Sequence, residues 1–136
     1  MKRSATTNWK GSGNEGKGTV TADSGVLSST PISYHTRFEE VQGTSSEELV
    51  AAVHAGCYSM KLSFVLGATG FTPDNTDTKC TITLENGAIT ESHLEVKASV
   101  PGIDEAKFKE CAEEAKKTCP ISKLLNPHIT IEANLA

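Results

Sequence analysis

Four cysteines, Cys57, Cys80, Cys111 and Cys119, are the residues of this 136-residue chain with the widest choice of chemistry. A thiol serves as core filler, metal ligand, disulfide partner or nucleophile, and its spacing and context decide which. Here the intervening gaps are 22, 30 and 7 residues. No CxxC or HxxxH pair supplies the chelating knuckle of a zinc site, so no metal is expected. Cys57 follows His54 by three residues and precedes Lys61 by four, so on a helix these side chains would be neighbours. The thiolate is the reactive form, and a nearby cation favours it. Lys61 is one candidate cation; Arg37, in Tyr34-His35-Thr36-Arg37-Phe38-Glu39, is the other, and sequence distance does not choose between them. Cys119, in Thr118-Cys119-Pro120-Ile121-Ser122-Lys123, stands at a chain corner beside a helix start, where backbone N–H groups favour a thiolate. Cys80 falls on an inward strand phase and Cys111 on the apolar stripe of a helix, and both read as core filler.

The elements that must hold these residues form an α+β pattern. Short β-prone pieces, Ala5 to Lys10, Lys17 to Ala22 and Gly25 to Ser28, are separated by Gly- and Ser-rich punctuation and read as hairpins, with a further segment from Ser33 to Glu39. Thr44-Ser45-Ser46-Glu47-Glu48 places a hydroxyl three residues before a Glu in either register, the signature of a helix start. From Leu49 to Leu66 apolar and small residues run nearly all the way round the helical wheel, which predicts a helix buried on all sides. Cys80 to Leu84 and Ala88 to Val100 form a hairpin about Asn86-Gly87. Its inward phase is odd at Ile89 and even from Leu94 onward, so a bulge is expected near Glu91 to His93. Asp104 caps a helix over Glu105 to Thr118, with apolar positions Ala106, Phe108, Cys111, Ala112 and Ala115. Pro120 stops it and opens a short one, and a strand over His128 to Leu135 closes the chain.

Composition narrows the function classes. A net charge of −4 argues against nucleic acid as a partner, since phosphate binding needs clustered Lys and Arg. The N-terminal residues lack the apolar stretch of a secretory signal, and no segment is expected to reach the length of a membrane span, so a cytoplasmic protein without membrane association is the expectation. Leu, Ile, Val and Phe number 28, a thin supply for a lone domain. Much of it lies in the one all-apolar helix, whose small residues Ala51, Ala52, Ala55 and Gly56 leave room for a close neighbour. A second copy of the chain would cover that face, so a homodimer is expected.

Gly43-Thr44-Ser45-Ser46-Glu47-Glu48-Leu49, then Ala51-Ala52-Val53-His54-Ala55-Gly56-Cys57-Tyr58-Ser59-Met60, with Cys119-Pro120-Ile121-Ser122-Lys123 following 62 residues after the first cysteine, resemble the osmotically inducible protein C / organic hydroperoxide resistance (OsmC/Ohr) family. Length and element order match over essentially the whole chain. Arg37 in its Tyr-His-Thr-Arg-Phe-Glu context resembles the OsmC branch; where the Ohr branch has a Gly-Arg element, this chain reads Gly16-Lys17-Gly18. Ser45-Ser46 replaces the common Asn-Pro, and serine caps a helix as well as asparagine does. Tyr58 replaces a common Phe and adds a hydroxyl near the nucleophile.

The resemblance implies a single OsmC-like domain over residues 1–136, with antiparallel sheets around a long buried helix in an intertwined homodimer. It also implies a thiol peroxidase without cofactor. Cys57 would be the peroxidatic thiol and Cys119 the resolving one, Arg37 would hold the thiolate and orient the peroxide, and Glu47 would position Arg37 through a bidentate pair. Organic hydroperoxides would be the substrates, and a dithiol such as a lipoylated protein the reductant. Glu47 and Cys57, ten residues apart, are separated by about 15 Å along one helix. Either Arg37 reaches between them, or an antiparallel partner helix brings Glu47 of one chain to Cys57 of the other; the second is the expectation. Two rivals remain: a cysteine hydrolase with His54 as base, and a non-catalytic binding dimer.

Overall fold

The computed structural model describes residues 1–125 and 128–136. The chain divides into two compact units, Met1–Leu49 and Val50–Ala136. The first contains an antiparallel meander of β1 (Ala5–Lys10), β2 (Lys17–Ala22) and β3 (Thr30–Ser33). Gly18 lies opposite Trp9, where a Cβ would come within 2.8 Å of the indole and 2.6 Å of the Asn8 carbonyl, so the pairing requires glycine. The strand expected over Gly25 to Ser28 is instead a turn, and β3 begins at Thr30. Tyr34–Phe38, read as extended from sequence, is a short helix, α1. The reason is local: Ser33 Oγ accepts from Thr36 N at 3.0 Å while Thr36 Oγ1 accepts from Ser33 N at 2.7 Å, a reciprocal capping box closed by threonine rather than glutamate.

The long helix, α2 (Ser46–Ala68), starts in the register Ser45 to Glu48, with Ser45 Oγ accepting from Glu48 N at 3.1 Å. In the second unit β4 (Asn75–Glu85) and β5 (Ala88–Ser99) form the expected hairpin, with positive φ at both Asn86 and Gly87, the backbone a two-residue turn demands. Their register shifts between Thr83 and Leu84, where Glu91 and Ile89 are the respective partners and Thr90 is the extra residue. The expected phase change is therefore real, one residue ahead of the predicted window. It carries Ser92, Leu94, Val96 and Ala98 onto the buried face.

α3 (Glu105–Thr118) is capped by Asp104, which accepts from Lys107 N at 2.7 Å, and buries Phe108, Cys111, Ala112 and Ala115; Ala106 is exposed. α4 (Pro120–Leu124) follows, then β6 (His128–Leu135). Sheets expected to be antiparallel are so for β1–β2–β3 and β4–β5, but β6 runs parallel to β5. The connection from β5 through α3 and α4 is a crossover, the only kind of link that brings the next strand back parallel. The core joins Tyr58, Leu62 and Leu66 of α2 to Leu94, Val96 and Ala98 of β5 and to Phe108, Cys111 and Ala115 of α3.

Two expectations for α2 are corrected. The helix buries one stripe, His54, Tyr58, Leu62 and Leu66, at i, i+4 spacing, while Val53, Met60 and Phe64 on the other side are 52%, 64% and 68% exposed. Within one chain it is therefore not buried all round. Contrary to the sequence expectation, this 23-residue helix is long and apolar enough by length and composition to cross a membrane. The fully buried His54 and Tyr58, both hydrogen-bonded within the protein, mark the packed stripe of a core helix.

Candidate active site

Cys57 sits midway along α2 on the border between its buried stripe and its exposed face, half-buried. Cys119 is the residue between α3 and α4. Its N–H donates to Ala115 O at 2.9 Å to finish one helix, and its carbonyl accepts from Lys123 N at 3.1 Å to start the next. Pro120 makes the corner, since it cannot continue α3 but suits a first helical turn. That corner brings the fully buried Cys119 thiol to 3.0 Å from Cys57 Sγ. All four cysteines are free. Cys111 lies in the core as expected, and half-buried Cys80 packs against that core.

Burial pushes the Cys57 thiol up, and the adjacent Cys119 thiol adds to the shift; the Ile121 backbone N–H and the charge of Lys61 act in the other direction. Of the two cations considered from sequence, Lys61 shares an open cleft of about 410 Å³ with Cys57, Met60, Phe64, Thr118, Pro120 and Lys123. The cleft is mostly apolar, with two lysines among its lining residues. A reduced sulfur with a second thiol in contact is poised for one reaction above others: once oxidised or bonded to a leaving group, it can be attacked by its neighbour to close a disulfide.

Beneath the cysteines lies a polar cluster that sequence reasoning found only in part. His54 is fully buried, with Nδ1 2.6 Å from Ser92 Oγ and Nε2 2.9 Å from Ser122 Oγ. Cys80 Sγ continues the cluster at 3.2 Å from Ser92 Oγ. Burial pushes the imidazole's pKa down, so the ring is held neutral, a form whose one donor and one acceptor two serine hydroxyls can match. Ser92 offered one weak signal, a hydroxyl on the inward phase of β5, whereas Ser122 is buried in the structure but carries no signal in its local sequence. Tyr58, another site noted from sequence, donates its hydroxyl to Ala112 O at 3.1 Å in the core.

In the first unit Arg37, on α1, meets Glu47, in the first turn of α2. Because Ser45 and Glu48 take the capping positions, the Glu47 carboxylate is free to pair. Arg37 Nε donates to Glu47 Oε1 at 2.8 Å and Nη2 donates to the same oxygen, while Glu47 Oε2 is buried without a hydrogen-bond partner. The expected bidentate fork is thus replaced by two donors converging on one oxygen. Burial pushes the Glu47 carboxyl up, but the hydrogen bonds from Arg37, a backbone hydrogen bond and the guanidinium charge outweigh it and hold the group below the usual carboxylate range.

Among the described residues, His93, Glu95 and Glu132 bring three potential metal-ligand atoms within 4.8 Å. His93 Nδ1 is already hydrogen-bonded to Thr130 Oγ1, and Lys79 Nζ lies 3.7 Å from Glu95.

A family model described as OsmC-like protein matches residues 39–134, most of the chain. The chain belongs to the OsmC-like family. Over 131 residues it is 44% identical to Peroxiredoxin OsmC of Escherichia coli (strain K12), covering 93% of this chain and 92% of that relative; the protein of the same name from Shigella flexneri matches to the same extent. Solved OsmC-like structures share the fold. An OsmC-like protein from Mycoplasma pneumoniae superposes with a TM-score of 0.77 at 16% identity, over 100% of this chain and 98% of that one. The organic hydroperoxide resistance protein OhrB of Bacillus subtilis superposes with a TM-score of 0.69 at 21% identity, over 98% of both chains.

Proposed function

We propose that this OsmC-like chain is a thiol peroxidase that reduces organic hydroperoxides, and hydrogen peroxide less well, in oxidative and osmotic stress defence. The observation that carries the reading is the contact of Cys57 with Cys119 at 3.0 Å at the edge of an apolar cleft. The name and near full-length similarity of the Escherichia coli relative support it.

In this mechanism the Cys57 thiolate attacks the distal oxygen of the hydroperoxide. The O–O bond breaks, the alkoxide leaves and takes a proton as alcohol, and Cys57 becomes a sulfenic acid. The Cys119 thiol then attacks the Cys57 sulfur, water departs, and a Cys57–Cys119 disulfide remains. An external dithiol, such as a lipoylated protein, returns both thiols by exchange and is itself oxidised to a disulfide. Burial and the neighbouring Cys119 push the Cys57 thiol up, and a cation favours the thiolate that the reaction uses. Arg37 takes that role and orients the peroxide, and Glu47 fixes the guanidinium. No metal, flavin or haem takes part.

The whole chain acts as one OsmC-like domain and works as a cytoplasmic homodimer. The exposed apolar face of α2 and the six exposed residues of β1 are the surfaces a second copy covers. Antiparallel α2 helices would then bring Glu47 of one chain toward Cys57 of the other. The hydrolase rival is disfavoured because both ring nitrogens of His54 are engaged by serines. The test is turnover of cumene hydroperoxide with dihydrolipoamide. Activity that Cys57→Ser abolishes supports the peroxidase, and wild-type inactivity in this assay removes it. Sedimentation of the chain as a monomer at micromolar concentration with full activity would remove the dimer.

A further inference from the structure

The Cys57–Cys119 contact depends on where α4 is held, and α4 has little means of holding itself. It is five residues long, too short for its own hydrogen bonds to keep it folded in water. Its one buried side chain is Ser122, a serine rather than an apolar residue, and Ile121 is only partly buried against the core. Ser122 Oγ meets His54 Nε2 at 2.9 Å. His54 in turn lies one helical turn before Cys57 on α2, and its other ring nitrogen is fixed by Ser92 of β5 at 2.6 Å. One imidazole thus ties the strand, the helix bearing Cys57, and the segment that begins at Cys119.

Resting on the peroxidase reading, we propose that His54 is a positioning residue for the resolving step: through Ser122 it anchors α4 so that the Cys119 thiol stays in line with the Cys57 sulfur. His54 touches neither reacting atom and moves no proton in this role. The step it assists is Cys57–SOH + HS–Cys119 → Cys57–S–S–Cys119 + H2O, in which the S–O bond breaks and the S–S bond forms. Attack at a divalent sulfur depends on access and alignment, so a loosened α4 slows closure without changing how Cys57 meets peroxide.

The test is Ser122→Ala, which removes the anchor and leaves the imidazole in place, beside Ser122→Thr, which keeps a hydroxyl. Disulfide closure is followed by quenching with an alkylating agent and mapping the Cys57–Cys119 linked peptide. It is started in two ways: with cumene hydroperoxide, and with a 5-thio-2-nitrobenzoate mixed disulfide on Cys57, which needs no peroxide. Sulfenic acid formation alone is measured by dimedone trapping in a Cys119→Ser background. Ser122→Ala is expected to slow closure by either route about tenfold, equivalent to about 1.4 kcal/mol of barrier at 25 °C. Dimedone capture should stay within about twofold, a change under about 0.5 kcal/mol, and Ser122→Thr should recover most of the closure rate. Wild-type closure in Ser122→Ala overturns the proposal, as does equal slowing of capture and closure, which is the mark of general loosening. If Cys57 gives no sulfenic acid in any form, the peroxidase reading fails, and the mixed-disulfide route still decides whether His54 and Ser122 anchor Cys119.

Discussion

Acidification should destabilise this fold through His54, by an amount that follows from its surroundings. The ring is fully buried between two serine hydroxyls, and among the described residues no carboxylate hydrogen-bonds to it. In the unfolded chain a histidine titrates near pH 6.5. In the fold burial pushes that pKa down, so just below pH 6.5 the unfolded chain binds a proton that the folded one refuses. The free energy of unfolding then falls with pH, at up to about 1.4 kcal/mol per unit. Stability from this source is complete above the unfolded value and is lost as pH falls toward the folded one. Between pH 7.0 and 5.5 the loss is at most about 1.3 kcal/mol, for a ring that stays neutral throughout. For a chain of this size that corresponds to a Tm lower by about 5 °C. The assay is thermal unfolding followed by circular dichroism across this window, with the His54→Gln variant, whose side chain does not titrate, in parallel. His54→Gln should start less stable but show a shallower pH slope. Ring proton resonances of His54 in the wild type should begin to shift only at a lower pH than those of an unperturbed histidine. Equal slopes in the two proteins, together with a His54 resonance that titrates near 6.5, would refute the reasoning.

Other outcomes follow from single contacts. Arg37→Lys should change stability by no more than about 1 kcal/mol, because the guanidinium is substantially exposed. The same variant should lower peroxidase kcat/KM by about tenfold or more, because an ammonium cannot reproduce the planar donor set on Glu47; urea unfolding and steady-state kinetics check the two halves. Tyr58→Phe removes the hydroxyl that donates to Ala112 O at 3.1 Å, and should cost about 1 kcal/mol in urea unfolding.

Much of the element order could be read from residue types, because the deciding interactions were local. The hydroxyl-to-Glu spacing at residues 44–48 marked the start of α2, Asn86-Gly87 marked the hairpin, and the switch from odd to even phase called for a bulge near Glu91 to His93, one residue beyond its place at Thr90. What the sequence hid was set either by a less common local partner or by contacts far along the chain. α1 was missed because Thr36, not a glutamate, completes the capping box with Ser33. Parallel pairing of β6 leaves no local trace, since alternation along a strand is the same in either direction. α2 looked buried all round because apolarity gives no sign of which neighbour covers it; within the described chain its buried residues are His54, Tyr58, Leu62 and Leu66. For the candidate site, the pairing of Cys57 with Cys119 and of Arg37 with Glu47 was legible only through resemblance to the family. The partners of His54 were not, because Ser92 and Ser122 lie 38 and 68 residues away and serine is unremarkable in any local window.

The central claim is that Cys57 and Cys119 form a peroxide-driven redox pair. Its most direct test is mass spectrometry of the fully reduced protein after one equivalent of cumene hydroperoxide, quenched with an alkylating agent. The account predicts loss of two thiols, a Cys57–Cys119 linked peptide, and alkylatable Cys80 and Cys111 on unfolding; in Cys119→Ser, dimedone should label Cys57. Four intact thiols after exposure, or a disulfide that leaves Cys57 out, would contradict it.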